Sequence, residues 1–324
     1  MNSSFRFALA LAAMAFAQQV SAQAPGPIDR LVQQDLRLAG IAERLLGANR
    51  ALCRLEMPLT GMVLHSRDQY RAEVAGDAFA NGAIAVAAVV PGSAAAAAGV
   101  EPRDALAAIG ERPTATMTRV GEAPLRDTAF AALADQGGPG PVVVTVARGG
   151  QQLARSLAAP MGCRALVEIR AADSLDARSD GRVIQVNYGL ATAASDDELA
   201  VIFAHELGHL ALEHRRRLTE AGVEKGVFGE FGRNRRLNRR VEVEADRISV
   251  HLLANAGYDP AIAPAFWRAR LGRRAGGGIL RSGTYPSAKA RAELIEREIA
   301  EHLAGRTGPS AAAHLMAARD VPFD

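Results

Sequence analysis

Aromatic side chains are scarce in this chain, at 5% of 324 residues with a single tryptophan. Alanine is abundant instead, so the core has to be built from small aliphatic side chains. The scarcity also removes the interleaved aromatic platform of a nucleic-acid module, and no recognition motif stands in for it. Charge is nearly balanced, with a net of only +3, which points to no nucleic-acid partner. Long apolar runs are missing beyond the N-terminus. No later stretch reaches eighteen apolar residues, so nothing there is expected to span a membrane. Cysteine is limited to Cys53 and Cys163.

The N-terminal stretch "MNSSFRFALALAAMAFAQQVSA" has the build of a signal peptide: Arg6, an apolar run from about Phe7 to Ala17, and small residues before the cut. Cleavage is expected after Ala22, leaving an exported chain, periplasmic or secreted, that is soluble. In an oxidising compartment a lone cysteine pair reads as a disulfide, Cys53 to Cys163.

Texture divides the chain. After residues 1–22, residues 23–57 carry Ile28, Leu31, Val32, Leu36, Leu38, Ile41 and Leu45 at roughly helical spacing. This segment is too short to fold alone. Residues 58–160 alternate β-type runs ("GMVLHS", "AIAVAAVV", "PVVVTVARGG", "QQLARSLAA") with Gly and Pro turns. Residues 161–304 hold a strand, "RVIQVNYGL", and three helices: "SDDELAVIFAHELGHLALEHRRR", "RVEVEADRISVHLLANAG" and "SAKARAELIEREIAEHLAG". Ser195 and Glu198 fit a capping box at the start of the first. The end, 305–324, with Gly, Pro and Ser, is expected to be a flexible tail.

The chemistry centres on "AHELGHLALEH", residues 204–214. His205 and His209 are four apart and share a helix face, so they can converge on one metal ion. Glu206 sits about 100° round the helix, where it reaches a water rather than the metal. H-E-x-x-H therefore reads as two zinc ligands and a general base. A catalytic zinc needs a third protein ligand, from a carboxylate or from His65, His214, His251, His302 or His314. His214 is expected to point away from the pair. In "VEVEAD", Glu242 and Asp246 share a face of the next helix, and Glu244 faces roughly the other way. Glu242 as ligand and Asp246 as partner to a ligand's other ring nitrogen meet both needs.

These motifs resemble the HtpX-like and CAAX-prenyl-protease-like zinc peptidases, of the gluzincin class. "HELGHLALEH", the E-x-x-A-D pattern of "EVEAD" and the following "AGYDP" turn carry the resemblance, over about residues 180–300. It implies an α+β fold with a mainly helical zincin-type core and a small sheet. It implies one Zn2+ per chain, protein or peptide substrates, and a strand at Val183–Asn187 that pairs with extended substrate. The family often has histidine where this chain has Tyr285, which could still donate a hydrogen bond to a developing oxyanion. Residues 58–160 resemble a bacterial-type PDZ domain through Val89, Val90, Gly92, Ser93, Ala98, Gly99, Val100, Asp104 and Gly110, with Arg103 where glycine is usual. That implies an inserted β-rich domain that takes a peptide ligand at the loop Gly61, Met62, Val63 and Leu64.

The expected function is thus a zinc-dependent endopeptidase in envelope protein quality control or processing. The alternative is a non-proteolytic PDZ-bearing adaptor or chaperone, against which the intact Glu206 argues. The basic segment 214–240 reads as a solvated helix end and loop, then as a lid, then as a patch drawn to acidic lipid headgroups at a membrane surface.

Overall fold

The computed structural model describes residues 26–138, 140–223, 232–278 and 286–323. The expected signal peptide, Tyr285 and the middle of the basic segment lie outside the described residues.

Helix α1 (Pro27–Ala48) buries Leu38, Ile41, Ala42, Leu45 and Leu46 along one face. It stops sooner than the expected 57. The side-chain amide of Asn49 donates to the carbonyls of Leu45 and Leu252, and the chain turns into β1 (Glu56–Pro58). β1 pairs antiparallel with β8 (Met161–Cys163), placing Glu56 opposite Cys163. Pairing with a distant strand overrides a helical periodicity that fades after Leu45. Cys53 and Cys163 are joined by a disulfide with Cα atoms 5.4 Å apart.

Between β1 and β8 lies a separate antiparallel sheet with its own core. It contains β2 (Met62–Ser66), α2 (Ala72–Ala75), β3 (Ile84–Val89), α3 (Ala94–Ala97), β4 (Ala105–Ile109), β5 (Arg112–Pro113), α4 (Leu125–Ala134), β6 (Val142–Arg148) and β7 (Gln151–Leu157). The strand order is β2-β3-β4-β6-β7, with β5 on β4. Ile84, Val86, Leu106, Val144, Val146 and Leu157 fill the interior. Arg103, where the sequence resemblance leads one to expect glycine, adopts φ 73°, a left-handed conformation that costs a non-glycine residue about 1 kcal/mol or more. Helix α4 carries little hydrophobic periodicity in the sequence, because its buried residues mix Arg126 and Asp127 with Ala129, Ala132, Leu133 and Ala134.

The second core gathers α1 with most of the described elements after β8. β9 (Leu166–Arg170), β10 (Ala177–Ser179) and β11 (Val183–Asn187) form a sheet ordered β10-β11-β9. Helices α5 (Tyr188–Ala193), α6 (Asp196–Ala211), α7 (His214–Glu220), α8 (Gly232–Asn255), α9 (Ile262–Arg268), α10 (Arg270–Gly278), α11 (Ala288–His302) and α12 (Ala313–Met316) follow. Leu38 and Leu45 of α1 pack in one cluster with Phe203, Leu207, Leu252, Phe266 and Ile295. The architecture is α+β.

Residues 305–323 are not the expected flexible tail. Ala312, Leu315 and Phe323 are buried, and Phe323 packs on Leu237 and Val241 of α8. Leu315 joins the main core, and Phe323 completes a small separate cluster on α8.

Candidate metal centre

Helix α6 begins with the capping box that the sequence implied. Ser195 Oγ accepts the Glu198 N–H at 3.3 Å, and the Glu198 carboxylate accepts the Ser195 N–H at 2.8 Å. Asp196 and Asp197 add negative charge at the positive end of the helix dipole. His205, Glu206 and His209 follow on the same helix. Helix α8 supplies Glu242 and Asp246. The two helices approach closely because residue 208 is glycine. A Cβ there would lie 2.7 Å from Ile248 Cγ2 and 3.2 Å from the Ala245 carbonyl oxygen, so any side chain would separate the ligand-bearing faces.

Three ligand atoms converge. His205 Nε2 lies 3.2 Å from Glu242 Oε2 and His209 Nε2 lies 3.4 Å from Glu242 Oε1. The two Nε2 atoms are 3.2 Å apart. His205 turns its Nδ1 to Asp246 Oδ1 at 3.1 Å. Arg291 of α11 clamps Asp246 with two bonds of 2.6 Å, and its guanidinium lies 3.5 Å over the Trp267 ring. Glu244 faces away, as the helical spacing requires.

The charges explain the site's appetite for a cation. Burial would raise Glu242, but His209, His205 and Arg291 hold it down at about 2. Asp246 is likewise kept ionised against its burial, chiefly by Arg291 and His205. Burial would lower His205, yet its bonds to Asp246 and Glu242 push it up to about 10. Burial pushes His209 down to about 3 and Glu206 up to about 7. Once His205 gives up its proton to ligate, two buried carboxylates balanced by one arginine leave a negative charge facing two imidazoles. That donor set, with a carboxylate holding one ligand's outer nitrogen, fits zinc. Glu206 borders the same cavity, of about 380 Å³, also walled by Ser179, Val201, Phe266 and Trp267.

Two expectations are corrected here. His214 does not point away. Helix α6 ends at Ala211, Glu213 takes φ 50°, and α7 restarts at His214. This break swings the His214 ring back, with Nδ1 2.9 Å from His209 Nδ1 and Nε2 3.1 Å from Glu244. A continuous helix, which the sequence suggested, would have sent it elsewhere. The strand Val183–Asn187 has no edge free for substrate. As β11 it is flanked by parallel β9 and antiparallel β10. The sheet's outer strands are β9 and β10, and of these it is β10 whose Ala177, Arg178 and Ser179 line the cavity.

The remaining expected residues lie elsewhere. Gly61, Met62, Val63 and Leu64 line a separate cavity of about 100 Å³, between β2, α4 and α1. His65 bonds Asp35 of α1 at 3.1 Å, while His251, His302 and His314 cluster together. Arg291 is the site residue that sequence reasoning misses, since a lone arginine on an amphipathic helix carries no signal of its target.

A centre of two histidines and a glutamate, with a second glutamate beside it in an open cleft, is the donor arrangement of zinc metallopeptidases. Sequence comparison agrees. Peptidase family M48 matches residues 145–232, a span that holds His205, Glu206 and His209 and ends before Glu242. The mitochondrial metalloendopeptidase OMA1 of Arabidopsis thaliana is 31% identical over 159 residues, 40% of this chain and 32% of that protein. The chain thus spans about a third of the length of the curated relative it matches. Together these matches support a metalloprotease of the zinc-dependent M48 type.

Proposed function

We propose that this chain is a zinc-dependent endopeptidase that cuts peptide bonds in proteins, with His205, His209 and Glu242 as ligands and Glu206 as the base. The carrying observation is the convergence of His205, His209 and Glu242 from two helices, with Glu206 on the wall of the same cleft. Zinc, when bound, supplies Lewis acidity, acidifying a water and polarising the scissile carbonyl. Glu206 takes the proton of the attacking water and returns it to the leaving amine. Asp246 and Arg291 fix the His205 ring. The outer strand β10 offers unpaired backbone groups along the cleft wall, so an extended substrate segment adds to it as a further strand. Phe266 and Trp267 give that segment an apolar neighbour.

Residues 58–160 act, in this reading, as a PDZ-like peptide-binding unit. Support comes from the outer strand β2, the helix α4 beside it, and Gly61 at φ 77°, which lets its backbone approach a ligand. The groove is closed in this structure by α1. Glu43 of α1 accepts a hydrogen bond from the Gly61 backbone, in the place a peptide's terminal carboxylate would take. Among the described residues, 58–160 contribute nothing to the wall of the metal cleft, which favours recruitment of substrate over covering of the cleft. An N-terminal signal peptide and a disulfide suit an exported protein acting in envelope quality control or processing.

The test is Glu206→Gln. This variant should keep about one catalytic zinc and lose casein cleavage by at least a hundredfold, roughly the scale of general-base catalysis. Full activity would remove the mechanism. Retention of the cleft's own zinc equivalent in Glu242→Ala would show a different third ligand.

A further inference from the structure

Three of the chain's seven histidines meet away from the cleft, drawn from distant points in the sequence. His251 lies on α8, His302 closes α11, and His314 lies in α12. The Nε2 atoms of His251 and His314 both face one oxygen of Glu298, Oε1, at 2.9 and 2.7 Å. The other oxygen, Oε2, is held by Arg247 Nε at 2.6 Å. His251 Nδ1 bonds the Ser310 hydroxyl at 2.7 Å, and the Ser310 N–H donates to Asn255 at 2.6 Å. The His302 ring stacks on His314 with centroids 3.8 Å apart.

We propose that His251, Glu298 and His314 form a second divalent-metal site, for an ion of the nitrogen- and oxygen-binding class that includes zinc. The three ligand atoms lie within 4.8 Å of one another, as in the triad of the cleft, with the same donor types. His251 and Glu242 are nine residues apart on α8, about 13 Å along its axis, so the two sites take separate ions. Each ligand is already oriented. Ser310 fixes the outer nitrogen of His251, Arg247 fixes the unused oxygen of Glu298, and stacking on His302 fixes the plane of His314. His251 and Glu298 are buried, while the His314 side chain is 31% exposed, which leaves a path for the ion.

The charge states suit a metal. Burial would raise Glu298, but its bonds to His251, Arg247 and His314 hold it at about 2. Burial, with nearby His302 and Arg247, keeps His314 below its ordinary value despite the carboxylate beside it. An ionised carboxylate facing a neutral imidazole is what a divalent ion requires.

The consequence is structural. The ion would staple the C-terminal segment to α8 and α11. That segment continues to Phe323, whose ring lies against Leu237 and Val241 and under the Arg217 guanidinium at 4.1 Å. Val241 is next to the ligand Glu242, so the second ion holds the outer wall of the catalytic helix.

The test uses the full mature protein, stripped by chelator and titrated with Zn2+. Wild type should take two equivalents and His314→Ala one. The double variant His205→Ala/His209→Ala should still take one equivalent and melt at a higher temperature with zinc. Adding His314→Ala or His251→Gln to that double variant should abolish both effects. A single equivalent in wild type, with none left in the double variant, would overturn the second site and leave the catalytic one standing. The second site is equally overturned if His314→Ala lowers the melting temperature of the stripped protein but leaves zinc uptake at two equivalents. Should the double variant fail to fold, wild type against His314→Ala, checked by circular dichroism, decides alone.

Discussion

The Nδ1 atoms of His209 and His214 lie 2.9 Å apart, and His214 passes the contact on to Glu244 at 3.1 Å. For His209 to ligate through Nε2, its Nδ1 must carry the proton and donate it to His214. His214 then donates from Nε2 to Glu244, which Arg217 and Arg240 also hold. The two proposed ligand histidines are therefore both oriented from behind, His205 by Asp246 and His209 by His214. Replacing His214 with alanine should weaken zinc binding by about tenfold to a hundredfold, the usual effect of losing such a partner. Competition with a chromophoric chelator measures it. Unchanged zinc affinity would reduce His214 to a packing role.

The disulfide closes a loop of 110 residues at the point where β1 and β8 pair. Loop entropy puts its contribution at roughly 4–5 kcal/mol. Cys53→Ser/Cys163→Ser should lower the denaturant midpoint accordingly while leaving the zinc triad assembled. A loss below about 1 kcal/mol would mean that β1–β8 pairing and the interface of α1 with the sheet already restrain the loop.

In the proposed peptide groove of the β-rich unit, Glu43 would be an internal competitor. Burial raises its pKa and the Gly61 N–H opposes that rise. Glu43→Ala should tighten binding of a peptide with a free apolar C-terminus by about tenfold, the scale of one charge-assisted bond. Fluorescence anisotropy with the same peptide, free and amidated at its C-terminus, reads this. Equal binding by wild type and variant would count against the groove.

Asp104 anchors the turn that contains Arg103. It is almost wholly buried, which would raise its pKa. Its two bonds to Arg148, at 2.6 and 2.7 Å, and the Glu101 N–H instead bring it below the ordinary carboxylate value. A depressed pKa means stability that is present above the unfolded value, about 3.9, and is lost as pH falls toward the folded one. Asp104→Asn should therefore be less stable than wild type at pH 7 by about 1–3 kcal/mol. The gap should narrow below about pH 4. Urea midpoints across this range test the sign; a constant gap would refute the assignment.

The sequence by itself determined the pieces that depend on local geometry. Four-residue spacing put His205 with His209 and Glu242 with Asp246, because a helix returns to the same face each turn. Alternating runs announced the strands β2, β3, β6 and β7, and Ser195 with Glu198 announced the start of α6. Only the tertiary structure decided what meets across space. Arg291 reaches Asp246 from forty-five residues away. The left-handed Glu213, unmarked by any glycine, turned His214 back toward His209. Strand order made β10, not β11, the open edge, since pairing is set by neighbours rather than by a strand's own residues. His251, Glu298 and His314 carry no shared motif, because a site built from three elements leaves no fixed spacing in the chain.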